Sequence, residues 1–168
     1  MEALKKIIKS LPAEAVWNTA REYLQVLTLK LIYQSAAGHV LSFMGGTSLR
    51  ICYDLKRYSE DLDFALDDTK RPYSFSRLME HLQKELRLLG FDVAANVHED
   101  KIVQKAFLKF AGLPQALGLQ GMGKEQKLHI KLEVDIRPPL LGTGDRESFF
   151  VNRFGEIFPI LKHTLPTL

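Results

Sequence analysis

Between Lys127 and Arg137 the chain alternates without a break. Leu128, Ile130, Leu132, Val134 and Ile136 take one parity, and His129, Lys131, Glu133, Asp135 and Arg137 take the other. Successive side chains of an extended backbone point to opposite faces, so this pattern belongs to a strand with one apolar face packed and one charged face wet. It predicts a strand over Lys127–Ile136. Two more strand candidates come before it, Phe91 to Val97 and Ile102 to Phe110, and a glycine-containing loop expected to be mobile, Ala111 to Lys124, separates them from it.

The N-terminal half reads differently. Val16, Ala20, Leu24, Leu27 and Leu31 recur at helical steps after Pro12, which predicts a long helix from Ala13 to Ala37 with Gly38 as its stop. A short buried strand, His39 to Met44, then runs into Gly45-Gly46, and a short helix is expected from Thr47 to Tyr53, capped by Thr47 or Ser48. Leu62 to Leu66 is the next strand, closed by a turn-rich stretch from Asp67 to Pro72, and Phe75 to Leu89 has helical periodicity ending at Gly90. Helices and strands interleave without repeat, low-complexity tract or linker. The expected fold is α+β, a mixed β-sheet flanked by helices, in one domain over residues 1–168.

Composition narrows the function classes only at the edges. A net charge of +3 from 23 cations and 20 anions permits a polyanionic partner without demanding one. The single cysteine, Cys52, rules out an internal disulfide framework and a cysteine-based zinc cluster, and its apolar neighbours make it a core residue. The five histidines, His39, His81, His98, His129 and His163, lack ligand spacing and read as surface or packing residues. No apolar run approaches the ~20 residues that span a bilayer, and Met1 to Lys6 does not resemble a secretory signal, so a cytoplasmic location is expected.

The chemistry concentrates between Phe43 and Phe64. Gly45-Gly46 lets backbone approach a ligand closely. The unpaired N–H groups opening the following helix, with the hydroxyls of Thr47 and Ser48, suit phosphate oxygens. Asp61 and Asp63, two apart in a segment entering a strand, project from one face, and Ser59 shares their parity. Two carboxylates so placed repel one another unless a divalent cation takes both as hard oxygen ligands. A third carboxylate from a neighbouring strand usually shares the metal in such sites. On the polar face of Lys131, Glu133 and Asp135 either acid is a candidate, one to bind metal and the other to serve as base or to orient Lys131, a catalytic candidate with them. Arg50 and Arg57 flank the motif and suit either phosphate or a structural ion pair. The Gly-x-x-x-x-Gly-Lys-Ser/Thr loop of P-loop enzymes is absent, and Gly45-Gly46 lacks the third glycine of a dinucleotide fingerprint.

Gly45-Gly46-Thr47-x-Leu49-Arg50 followed by Arg57-x-Ser59-x-Asp61-Leu62-Asp63-Phe64 closely resembles the first motif of the AbiEii/AbiGii-type toxin nucleotidyltransferases, within the DNA polymerase β-like superfamily. Lys131-Leu132-Glu133 is similar to a Lys-x-Glu strand found later in these proteins. The resemblance implies transfer of a nucleoside monophosphate from an NTP to an acceptor such as tRNA or other RNA, by the toxin of a toxin–antitoxin pair. It implies that Gly46 and Thr47 bind the triphosphate, in a site shared by Gly45, Ser48, Arg57 and Ser59. It further implies that Asp61, Asp63 and one of Glu133 or Asp135 hold Mg²⁺. Family members commonly continue into a helical region with a further Lys and Asp at the active site, expected to fall beyond Leu168. The alternative is a non-catalytic module, truncated or degenerate, that binds nucleotide, RNA or antitoxin.

Overall fold

The computed structural model describes residues 1–68, 70–119, 128–138 and 145–165. The alternating segment forms strand β5 (Leu128–Asp135), near the middle of a seven-stranded sheet. On one side of it lie β4 (Val103–Phe110) and β3 (Val93–His98). On the other lie β2 (Asp61–Leu66), β1 (Leu41–Met44), β7 (Glu156–His163) and β6 (Arg146–Arg153), in that order. The pairs β2–β5 and β1–β7 are parallel and the rest antiparallel, which makes the sheet mixed, as expected.

The apolar parity of each central strand is buried. Phe43, Leu62, Phe64, Ala106, Leu108, Leu132 and Val134 form one face, and α2 (Ala13–Gln34) and α4 (Phe75–Leu88) pack over it. Phe43 and Phe64 sit on adjacent strands with ring centroids 5.4 Å apart. Every position of α2 from Glu22 to Leu29 is buried, because the helix touches the sheet, α4 and the short α1 (Glu2–Ile8). A helix covered on several sides loses the clean stripe of an exposed one. The periodicity predicts α2 but runs three residues too far. Ser35 leaves the helix, and its hydroxyl accepts the N–H of Ala37 to open a 3-10 turn over Ala36–His39.

Three elements lie outside what the patterns predict. α1 is too short for its periodicity to register, yet Leu4 is fully buried. α5 (Leu113–Ala116) falls inside the loop expected over Ala111 to Lys124, whose part from residue 120 onward lies outside the described residues. Residues 146–163 form a hairpin. Its turn, Phe154-Gly155, has φ of 55° and 78°, the mirror-image geometry that matches strand twist. The usual Asn-Gly or Asp-Gly signal is missing; Phe154 takes the left-handed position and lays its ring edge-on to Tyr23 of α2 at 5.7 Å.

The hairpin also supports α3 (Gly45–Tyr53). That helix ends on Asp54 at φ 56°, and Arg153 donates to the carbonyls of Arg50 and Ile51 at 3.2 and 3.3 Å and to the Asp54 carboxylate. Its free carbonyls are thus held by a cation, the charge that a helix C-terminus favours. Gly45 and Gly46 belong to the helix itself, which starts two residues before the expected Thr47.

Candidate active site

The charged parity of β2 and β5 points to the sheet face opposite the buried apolar one. Register places Asp61 beside Lys131, Asp63 beside Glu133, and Ala65 beside Asp135 on the parallel neighbours β2 and β5. Adjacent strands are about 4.8 Å apart, so side-by-side carboxylates on one face meet. One carboxylate oxygen each from Asp61, Asp63 and Glu133 lie within 4.8 Å of one another. Asp135, the other candidate, is not in this cluster. It sits one row further along the strand, opposite an alanine, and its Oδ1 accepts the backbone N–H of Arg137 at 2.9 Å. The face it shares with Glu133 is legible in sequence, whereas the register that separates them is not.

The three acids differ in their partners. Lys131 Nζ reaches Asp61 Oδ2 at 2.8 Å and Glu133 Oε2 at 3.2 Å, and Lys105 Nζ on β4 reaches Glu133 Oε1 at 2.7 Å. Burial alone would raise Glu133, but hydrogen bonds from Lys105 and Lys131 outweigh it and hold the carboxyl below the usual range. Lys131 is held protonated above the ordinary lysine range, first by its bond to Asp61. Asp63 has no such bridge among the described residues. Burial first, then the charges of Asp61 and Glu133, push it up to about 6, with Lys131 only partly offsetting them. A cluster of hard oxygen donors, one of them strained by its neighbours' charge, suits a divalent cation such as Mg²⁺.

The glycines are explained by this cluster. Gly45 has φ +77°, and a Cβ there would run into Asp63 Oδ2; a Cβ on Gly46 would lie 2.9 Å from Ser59 Oγ. The start of α3 therefore presses against the acidic strand, and the N–H groups of its first turn have no intrahelical acceptor. Ser59 is fixed from behind, where Gln25 Nε2 donates to its carbonyl at 2.9 Å. The hydroxyls of Thr47 and Ser48 point inward. Both residues are fully buried; Thr47 Oγ1 donates to the Asp61 carbonyl, and Ser48 Oγ contacts Cys52 Sγ at 4.0 Å. What they offer a ligand is backbone, while the Thr47 hydroxyl ties α3 to β2 at the first carboxylate.

Of the two arginines, Arg50 is structural. It bridges to Glu22 of α2 at 2.8 Å, donates to the carbonyls of Leu55 and Lys56, and lies 4.1 Å over the Tyr58 ring. Glu22 is only 5% exposed, so Arg50→Met would strand a buried charge. The expected loss is about 3 kcal/mol, read by urea unfolding, with metal binding kept at temperatures where the variant is folded. Arg57 is exposed on the loop entering β2. Lys105 escapes sequence reading altogether, because its relevance depends on the antiparallel register of β4 against β5.

The family described as "Nucleotidyl transferase AbiEii toxin, Type IV TA system" matches residues 28–163, which include every residue of this cluster. The chain belongs to the AbiEii nucleotidyltransferase family. Two solved structures from Helicobacter pylori share the fold. One, solved as a candidate nucleotidyltransferase, is 18% identical at a TM-score of 0.56, over 86% of this chain and 52% of its own. The other, JHP933, is 17% identical at a TM-score of 0.52, over 88% and 52%. The chain thus spans about half the length of both. No curated protein matches it. The start of the glycine-led helix α3 thus meets the acidic cluster of β2 and β5, and no described helix is long and apolar enough to cross a membrane.

Proposed function

We infer that this chain carries the nucleotide- and metal-binding part of an AbiEii-type nucleotidyltransferase. It would move a nucleoside monophosphate from an NTP to an acceptor hydroxyl, releasing pyrophosphate, as the toxin of a toxin–antitoxin pair in the cytoplasm. The observation that carries the reading is the meeting of three carboxylate oxygens within 4.8 Å, with Asp63 pressed against Gly45 at the start of α3. Asp61, Asp63 and Glu133 would hold Mg²⁺, which when bound supplies a positive centre for the transferring phosphoryl group.

The chain's own groups divide the remaining work. The first-turn N–H groups of α3, at Gly46 and Thr47 above all, would receive the leaving phosphates, helped by the positive end of the helix. Ser59 lines the same mouth, and Lys131 bridges Asp61 and Glu133 and aims them together. RNA, including tRNA, is the acceptor class supported by family resemblance.

The test incubates the protein with each α-³²P-labelled NTP, Mg²⁺ and total RNA, beside the Asp61→Ala variant. Label transferred to RNA by wild type alone supports the reading. Label on protein would move the acceptor to a polypeptide. Nucleotide bound but never transferred would leave a non-catalytic binding module, and no Mg²⁺-dependent binding at all would sink the metal site.

A further inference from the structure

Lys105 has no place in the reading above, yet it touches the centre of the site. It stands on β4, beside Glu133 in the antiparallel register, and its ammonium sits 2.7 Å from Glu133 Oε1. Lys131 takes the other oxygen, Oε2, at 3.2 Å. Both oxygens of the β5 carboxylate are therefore occupied by cations in the protein as it stands. A divalent ion drawn to Asp61, Asp63 and Glu133 meets two ammonium groups already there, and at least one Glu133 oxygen must change partner for the ion to be held.

The two lysines are not equally placed to leave. Lys131 straddles Asp61 and Glu133 and its side chain is 23% exposed. Among the described residues Lys105 has one carboxylate partner; its side chain is 44% exposed, and the exposed His98 stands beside it on β3. An ammonium that is already half in water regains hydration readily when it lets go, whereas Lys131 would forfeit two partners in a more enclosed place.

We propose that Lys105 is the exchangeable counter-ion of the carboxylate cluster. It holds the Glu133 carboxylate in place while no metal is bound, and it surrenders Oε1 when a divalent cation enters. Binding of the cation is then an exchange, with Lys105 setting its affinity. The released ammonium stays on the open face beside β5, a unit positive charge at the side of the site away from α3. This inference rests on the metal-site reading above and makes Lys105 a positioning residue rather than a catalytic one.

The experiment measures Mn²⁺ binding by electron paramagnetic resonance on the full chain at pH 7.5, for wild type, Lys105→Met, Lys105→Arg and Glu133→Gln. Removing a competing unit charge a few ångströms from a divalent ion should tighten Mn²⁺ about tenfold in Lys105→Met. Lys105→Arg, which keeps the charge, should stay near wild type, and Glu133→Gln should weaken binding strongly. Far-UV circular dichroism checks that each variant is folded, and ¹⁵N-detected ammonium signals give a second readout. The Lys105 resonance should shift to a solvent-like position as diamagnetic Mg²⁺ is added in place of Mn²⁺, while that of Lys131 persists. Unchanged or weaker binding in Lys105→Met, with wild type binding normally, overturns the proposal and leaves the metal site standing. Absence of Mn²⁺ binding by wild type overturns both.

Discussion

Asp63→Asn should make the metal-free protein more stable while removing its response to metal. The reason lies in the unequal partners of the three acids. Asp63 is crowded by burial and by the charges of Asp61 and Glu133, and no lysine among the described residues bridges it, so its carboxyl is pushed up to about 6. A carboxyl whose folded pKa lies above its unfolded one contributes stability below the ordinary carboxylate range and loses it as pH rises through about 6. At pH 7.5 the ionised group is a net cost, on the order of 1 kcal/mol once solvent screening is allowed for. The amide removes that cost, and thermal unfolding of metal-free samples should show a higher Tm than wild type.

On the proposed function, the same substitution should lower nucleotidyl transfer on the order of 10³-fold, roughly 4 kcal/mol, because it removes one of the proposed metal ligands. Asp61→Asn should lose metal as well but gain no stability, since it forfeits the 2.8 Å bridge to Lys131. In wild type, Mn²⁺ must expel the Asp63 proton below about 6, so its affinity should fall about tenfold per pH unit there. Superimposable melting of wild type and Asp63→Asn from pH 5 to 8 would refute the assignment of strain to Asp63.

Gly45→Ala should damage fold and site together. The position combines φ +77° with the contact to Asp63 Oδ2, so a methyl group meets both a disfavoured backbone and an occupied space. The backbone term alone is about 1–2 kcal/mol, and the clash adds to it, for an expected loss of at least about 2 kcal/mol in urea unfolding. Relief comes most readily by rotating the Asp63 side chain away, which should weaken Mn²⁺ by tenfold or more. Gly46→Ala is the internal comparison. It has no positive φ, and its nearest neighbour at 2.9 Å is the tip of a serine side chain, which can turn aside. Its cost should stay near 1 kcal/mol, with metal binding little changed. A double variant, Gly45→Ala with Asp63→Ala, should recover part of the stability lost in the single one, and failure to do so would place the strain elsewhere.

What the sequence discloses about this fold follows the range of the interactions involved. The strand at Leu128–Asp135, the long α2 and the amphipathic α4 are legible because their burial pattern is written in neighbouring residues. The hairpin of β6 and β7 is not, because Phe154 stands at a left-handed turn position where Asn or Asp is the usual signal, and its ring packs on Tyr23, distant in sequence. The site divides in the same way. Asp61 and Asp63 share a face by local parity, and the glycines announce a close approach. Choosing Glu133 over Asp135, finding Lys105, and learning that the Thr47 hydroxyl is turned toward Asp61 all require cross-strand register or helix orientation. Arg50 looked equally apt for phosphate and for an ion pair until the fold brought Glu22 beneath it.

The central position of β1 has a consequence for how the protein comes into being. This four-residue strand lies between β2 and β7, so its two neighbours come from residues 61–66 and 156–163. Synthesis proceeds from the N-terminus, and domains fold as units once their long-range partners are available. The acids of β2 and β5 are all translated by residue 135, but Arg153, which grips the far end of α3, follows them. While residues 146–163 are still inside the ribosome, α3 lacks its C-terminal brace and β1 has an open edge. A nascent chain can hold all three carboxylates of the cluster and still lack a finished α3 to set against them.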